Sequence, residues 1–301
     1  MQVDTVRADN ARGAILMVAG MAAFTLSDSI MKLLGPQMPL FQTLAWRGVA
    51  VSLVLALMAW QQGAFRKPVP RHDKALVALR TLCDTASTWF FLQALYHMPI
   101  ANLTAIMQAL PLTVTLGGAL FLGERVGWRR LTAIAVGFAG VLLIVRPQAG
   151  EFNTYAIYAL VCVALVTARD LFTRRMSRAV PSLIVALANA VFVTLFGLAG
   201  SVTESFVAPQ GAAILLLAGT AVFIVAGYVL TVSAVRTGEL GFVTPFRYTG
   251  LIWALVLGLV LFAEWPTLLT QLGAALVVGT GLFTFYRERV TARRARAPIP
   301  R

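Results

Sequence analysis

Ten apolar stretches of membrane-spanning length, separated by short polar breaks, constrain this 301-residue chain more than any motif in it. They run over about 13–34, 38–60, 74–97, 100–122, 128–146, 154–172, 181–202, 211–234, 241–263 and 266–286. A helix needs about 20 mainly apolar residues to cross the hydrocarbon layer. Ten of them use most of the chain and leave only short loops and tails, with no room for a soluble domain. The composition agrees. Only 12% of residues are charged and 59% are hydrophobic, against roughly 25% charged in soluble domains. The breaks carry turn formers: Gly35 with Pro36, then Pro68, Pro70, Pro99, Pro147, Pro181 and Pro266. Sustained two-residue alternation is absent, which argues against a membrane barrel. The expected fold class is an all-α polytopic membrane protein.

The net charge of +13 invites a nucleic-acid reading, but its distribution argues otherwise. With a cytoplasmic N-terminus, nineteen of the 25 Lys and Arg residues fall in inside segments, and Arg146 alone falls in an outside loop. The remaining five (Lys32, Arg47, Arg80, Arg169 and Arg247) lie within spans. Basic residues flank the cytoplasmic ends of membrane helices, and one missed span would invert every later loop. The pattern therefore supports ten spans with both termini cytoplasmic, in a bacterial inner membrane. The basic face meets anionic lipid, and no nucleic-acid partner is needed. The polar start MQVDTVRADNAR is unlike the basic leader of a cleaved signal peptide, so the first apolar segment is expected to remain as a helix. Cys83 and Cys162 both lie mid-span without metal or CxxC spacing and read as packing residues. Neither a metal nor a cofactor is expected.

The two halves resemble each other at an offset of about 140. Asp28 and Lys32 near the end of the first span match Asp170 and Arg174 near the end of the sixth. LFLGE ending at Glu124 matches VLFAE ending at Glu264, and Thr104 matches Thr244. Gly137 and Gly140 are followed in the second half by Gly279 and Gly281. Close packing within the chain explains Gly137 and Gly140 better than dimerisation does. Five spans per half is an odd number, so the second half is inverted relative to the first. The expected organisation is a cytoplasmic tail over 1–12, a five-helix repeat over 13–146, a second over 154–286, and a basic cytoplasmic tail over 287–301. Inverted repeats are a common build of secondary transporters, with the solute near the midplane between the halves.

Ten spans, the five-plus-five repeat and the GE/AE signature closing the fourth span of each half resemble the drug/metabolite transporter superfamily, specifically its EamA-type members. The resemblance covers about 13–286. Within that family, VTPFRYTGLIWALVLGLVLFAEWP over 243–266 is similar to carriers described as riboflavin or S-adenosylmethionine importers. It implies uptake of riboflavin as the leading expectation and of S-adenosylmethionine as the runner-up. Amino-acid or drug efflux is also found in the superfamily.

Ionisable residues inside spans cost roughly 2.5–3.5 kcal/mol each on insertion scales and persist when paired, hydrated or useful. Asp28, Arg47, Arg80, Asp84 and Arg247 need such an account. Arg80 and Asp84 stand four apart in one helix and can pair. Arg47 has no acid in its own span, so Asp28 or Asp84 could neutralise it from a neighbour, as a latch or as part of a solute site. Lys32, Arg169, Asp170 and Arg174 sit near helix ends, where long side chains snorkel. Arg247 lies in Thr244-Pro245-Phe246-Arg247-Tyr248, where Pro245 removes a backbone donor and frees a carbonyl one turn back. Arg247 could donate to a carboxylate, carbonyl or phosphate of the solute, or snorkel to the near face. Gln108 with Pro111 offers a second polar contact beside a helix break.

Trp46, Trp89, Tyr228, Tyr248 and Trp253 lie inside spans, where they can stack a flat heterocycle or simply pack. Trp60, Trp128, Tyr155, Tyr158, Trp265 and Tyr286 lie at span ends and suit an interfacial belt. The candidate substrate-binding set is Arg247, Tyr248, Thr244, Trp46, Arg47, Trp89, Gln108 and Trp253, with Asp28, Arg80 and Asp84 as coupling or ion-pair residues. No GxxxxGK[ST] loop is present, so a carrier of this sequence would run on a gradient or by facilitated diffusion. Asp28 or Asp84 could carry a coupling proton. An intramembrane enzyme would need a nucleophile–base or metal constellation. The chain has two histidines, His72 and His97, and no HExxH. A channel would be revealed by flux that does not saturate.

Overall fold

The computed structural model describes residues 2–66, 69–124, 126–145, 154–177 and 179–296. Lys67, Pro68, Arg125, Arg146, Pro147, Arg178 and Arg301, used above for loops and orientation, lie outside the described residues. The helices, in order, are α1 Gln2–Leu34, α2 Leu40–Gln61, α3 Arg71–His97, α4 Ile100–Met107, α5 Leu110–Leu122, α6 Trp128–Val145, α7 Thr154–Arg175, α8 Ser182–Ser201, α9 Ala212–Thr237, α10 Leu240–Val243, α11 Thr249–Phe262 and α12 Leu268–Arg296. No strand occurs among the described residues. Short 3-10 turns cover Ala64–Arg66 and Thr244–Tyr248.

The fold is that of a ten-span helical membrane protein. Two spans are each built from consecutive pieces, α4 with α5, and α10 with the 3-10 turn and α11. Nine helical stretches among the described residues are long and apolar enough to cross a membrane. The remaining span, α3, has 27 residues but carries Arg71, Asp73, Lys74, Arg80 and Asp84, which lower its hydropathy.

Prolines set where the helices begin. Pro39, Pro70, Pro99 and Pro181 stand immediately before α2, α3, α4 and α8, with φ between −55° and −66°. A proline there loses nothing by lacking an N–H, because the helix has no acceptor for it. Each proline carbonyl then accepts the N–H four residues on, from Thr43, Lys74, Leu103 and Val185.

The GE/AE signature has a backbone explanation. Gly123 and Ala263 end α5 and α11 in the left-handed region, at φ 69° and 53°. The next N–H, of Glu124 or Glu264, reaches back to the carbonyl of Gly118 or Gly258 at 3.1 and 2.9 Å. The left-handed residue thus turns the chain back onto a carbonyl six positions earlier, one residue wider than a Schellman end. Glycine takes that conformation freely, whereas Ala263 is the one non-glycine residue with positive φ among those described. The Glu264 carboxylate then accepts the Ile100 N–H at 3.0 Å and so caps α4.

The chain forms two compact units. One comprises Met1–Thr25, Pro99–Asn153 and Ala226–Arg301; the other comprises Leu26–Met98 and Thr154–Val225. Each draws on both sequence halves. In the first unit α6 packs on α12 and α4 on α11. Gly140 and Gly273 allow the first of these contacts: a methyl group on Gly140 would stand 2.8 Å from the Gly273 carbonyl oxygen. In the second unit α2 packs on α8 and α3 on α7, and Gly197 lets the α8 backbone approach Ala45. Counted as spans, these pairings are fifth with tenth, fourth with ninth, second with seventh, and third with sixth. In three of the four, a span of the first half meets its own counterpart in the second. α1 and α9 contribute to both units. Gly20 lies against Thr231 in the first, and the Ser27 hydroxyl donates to the Thr220 carbonyl at 3.1 Å in the second.

Candidate functional site

Within the first unit, two broken spans present their breaks to each other. α4 ends at Met107, and Gln108 and Ala109 lead into α5, where Pro111 occupies the first turn. In the other span Pro245 stands in the 3-10 turn Thr244–Tyr248 between α10 and α11. A proline lacks the N–H an α-helix needs at that point, and the tighter turn accommodates it. The Gln108 side-chain Nε2 donates to the Tyr248 carbonyl at 3.4 Å, a long bond. Gln108 and Tyr248 are separated by 140 residues, the offset that relates Glu124 to Glu264. The same position of the two repeats therefore meets itself.

Tyr248 is 7% exposed. Its ring stands edge-on to Phe285 at 6.3 Å and occupies the space that a side chain at Gly281 would need. Its hydroxyl is buried with no hydrogen-bond partner among the described residues. A buried, unfilled phenol is a costly arrangement and is suited to an incoming acceptor. Thr244 is half-buried in the same turn, Arg247 is exposed, and Trp253 is half-buried one turn into α11.

The second unit holds charged groups on unbroken helices. Arg47 of α2 is in electrostatic range of Asp28 of α1 and of the Tyr96 hydroxyl of α3. Of the two acids considered for Arg47, Asp28 is the one in range. The Tyr96 hydroxyl is buried and accepts or donates no hydrogen bond among the described residues. Deeper along α3, the Asp84 carboxylate accepts a 2.6 Å bond from Arg169 of α7, and Arg169 also holds Asp170 at 2.9 Å. Arg80 Nε donates to the Thr173 hydroxyl at 3.0 Å. Arg169 thus does more than snorkel: it ties α3 to α7.

The same two helices are clasped at their other contact points. Asp73, in the first turn of α3 outside the apolar segment, accepts from both the hydroxyl (2.6 Å) and the N–H (3.2 Å) of Ser177. Those two bonds hold its carboxyl below the usual range. At the far end Trp89 meets Phe90 and Tyr158 at 4.9 and 5.8 Å, and His97 stacks on Tyr155 at 3.9 Å. Tyr155 and Tyr158, expected in an interfacial belt, are part of this cluster with Trp89. Lys32 donates to the Met98 carbonyl at 2.7 Å.

The structure brings Gln108 together with Tyr248 and puts Arg47 within electrostatic range of Asp28. It puts Trp46 elsewhere: at 45% exposed, it continues a stripe along α2 with Val49, Leu53, Leu57 and Trp60. Such a stripe is a bilayer contact by its spacing. Sequence reasoning missed Tyr96, which sits near a helix end without a charged neighbour in its own span. It also missed Glu204, whose carboxylate accepts the Phe41 and Gln42 N–H groups at 3.1 and 3.2 Å and so caps α2. A glutamate in the loop after α8 carries no sequence sign of which helix it will cap.

Among known proteins, the sequence pattern of the EamA-like transporter family matches residues 11–146 and again 153–286. The chain is 29% identical over 292 residues to a riboflavin transporter of Rhizobium johnstonii, covering 95% of this chain and 94% of that one. It is 22% identical to an S-adenosylmethionine uptake transporter of Rickettsia felis, covering 87% and 88%. A solved crystal structure of 19% identity aligns over 95% of this chain and 99% of its own, with a TM-score of 0.62. At that identity the likeness is one of fold.

Proposed function

The chain belongs to the EamA-like transporter family, and from that premise we propose that it is a secondary carrier for riboflavin uptake, working by alternating access with both termini cytoplasmic. The observation that carries the carrier reading is the pair of proline-opened spans meeting at Gln108 and Tyr248. Broken helices at a repeat contact are where such carriers expose backbone groups to solute. In this reading Gln108, Thr244, Arg247 and Tyr248 bind polar edges of the cargo, and Trp253 offers an aromatic face. A flavin or an adenine has both kinds of surface. Asp28 and Arg47 serve coupling: protonating Asp28 releases the guanidinium. Asp84 and Arg80 hold α3 to α7.

Riboflavin is favoured over S-adenosylmethionine by the higher identity and coverage of the riboflavin relative. The test is growth rescue of a riboflavin auxotroph lacking its own importer, with labelled S-adenosylmethionine uptake measured beside it. Rescue with riboflavin is the expected result. S-adenosylmethionine uptake alone transfers the reading to the second cargo, and neither would leave an efflux carrier. Uptake in proteoliposomes indifferent to an imposed pH gradient would remove the coupling role of Asp28.

A further inference from the structure

The α6–α12 pair carries a groove of about 210 Å³ lined by Arg129, Ala133, Val136, Gly279, Thr280 and Phe283. Val136 and Phe283 are 44% and 42% exposed, so it opens sideways along the helices. Being open along its length, it can hold a slender chain against the helices without enclosing it.

The groove owes its depth to Gly279. A side chain there would meet nothing within 4 Å, so the missing Cβ is open space. Its walls are apolar despite two threonines. Thr132 and Thr280 turn their hydroxyls back to the carbonyls of Arg129 and Leu276, at 2.9 and 2.7 Å, and leave methyl groups outward. Around it Leu131, Leu272 and Leu282 are exposed as a bilayer-facing surface.

One end is cationic. Arg129 is exposed and lies over the Trp128 ring at 5.3 Å, and Trp128 is itself 69% exposed. Tryptophan at a span end marks headgroup depth. Arg287 follows Phe283 by one helical turn on α12. A narrow apolar trough ending at arginines and an interfacial tryptophan has the charge and shape of a lipid with an anionic head. We propose that this groove binds one acyl chain of an anionic phospholipid whose phosphate is held by Arg129. Placing that lipid in the cytoplasmic leaflet rests on the orientation proposed above; the binding itself does not.

Native mass spectrometry of the full chain, titrated with dioleoylphosphatidylglycerol and separately with dioleoylphosphatidylcholine, tests this. Phosphatidylglycerol should be retained about fivefold better, the scale of one basic residue at an anionic surface. Arg129→Gln should equalise the two lipids. Gly279→Leu should lower retention of both, because the new side chain fills the trough, and it replaces a weak helix former with a strong one. A wild-type chain indifferent to the headgroup would overturn the proposal, as would a Gly279→Leu chain that keeps its phosphatidylglycerol. Dimers that persist undiminished as lipid is added would give the groove to a second copy instead. Riboflavin uptake is read in a separate assay, so failure here leaves the carrier reading intact.

Discussion

The Gln108–Tyr248 region and the Asp28–Arg47 region keep polar groups inside a membrane in opposite ways. In the first, Pro111 and Pro245 lie at or next to breaks in their spans, and the groups that meet, the Gln108 amide and the Tyr248 backbone carbonyl, are neutral. In the second, α2 and α3 run unbroken and the polar content is a carboxylate, a guanidinium and a phenol on neighbouring helices. Opened backbone offers fixed dipoles that do not change with pH, whereas a charged pair can be switched by one proton. The proposed function divides along this contrast, with recognition at the broken spans and coupling at the intact ones.

The most damaging way to probe that contrast is Arg47→Ala. It strands Asp28 and should cost roughly 2 kcal/mol, below the 3–5 kcal/mol for fully buried pairs because both residues are half-buried. Thermal unfolding in detergent should recover most of the loss when Asp28→Asn is added; no recovery would mean that the two are not a pair. Next comes Arg247→Ala, which should cut labelled riboflavin uptake about tenfold, or about 1.4 kcal/mol, at unchanged membrane abundance. Full activity would take Arg247 out of the recognition region. Gln108→Leu should weaken affinity by about 1 kcal/mol, the scale of a single neutral hydrogen bond. Its effect should not vary with pH, while that of Asp28→Asn should; the same pH response in both would erase the distinction.

Ala263→Gly should have the smallest effect. It relieves the roughly 1–2 kcal/mol of a left-handed L-residue and loses about 0.5–1 kcal/mol to glycine's freedom in the unfolded chain. A net gain of about 0.5 kcal/mol in unfolding free energy, with uptake unchanged, is expected.

Ten spans, the breaks at Pro70, Pro99 and Pro181 and the kinship of Glu124 with Glu264 were legible in the sequence, because each is written along a single helix or at a fixed offset; Pro39, read as part of a span, stands just before its helix. Partners between helices were not. Periodicity tells which face of α3 carries Asp84, but not that Arg169 of α7 meets it. Arg47 had two acids to choose from until packing put Asp28 in range. The signature glutamate could be seen to recur, yet its work at the start of α4 could not. Trp46 looked like any other intramembrane aromatic until its place on the exposed stripe of α2 was known.

The meeting of Gln108 with Tyr248 also bears on why one chain holds both halves. In an assembly of two identical five-helix chains, a residue on the symmetry axis faces its own copy, and every mutation there changes both sides at once. Glutamine would meet glutamine, or tyrosine would meet tyrosine. Fusion into one chain lifts that restriction. The two sides can then differ, with the Gln108 amide on one and the Tyr248 backbone carbonyl on the other, a mismatched pair suited to a molecule that has no symmetry of its own.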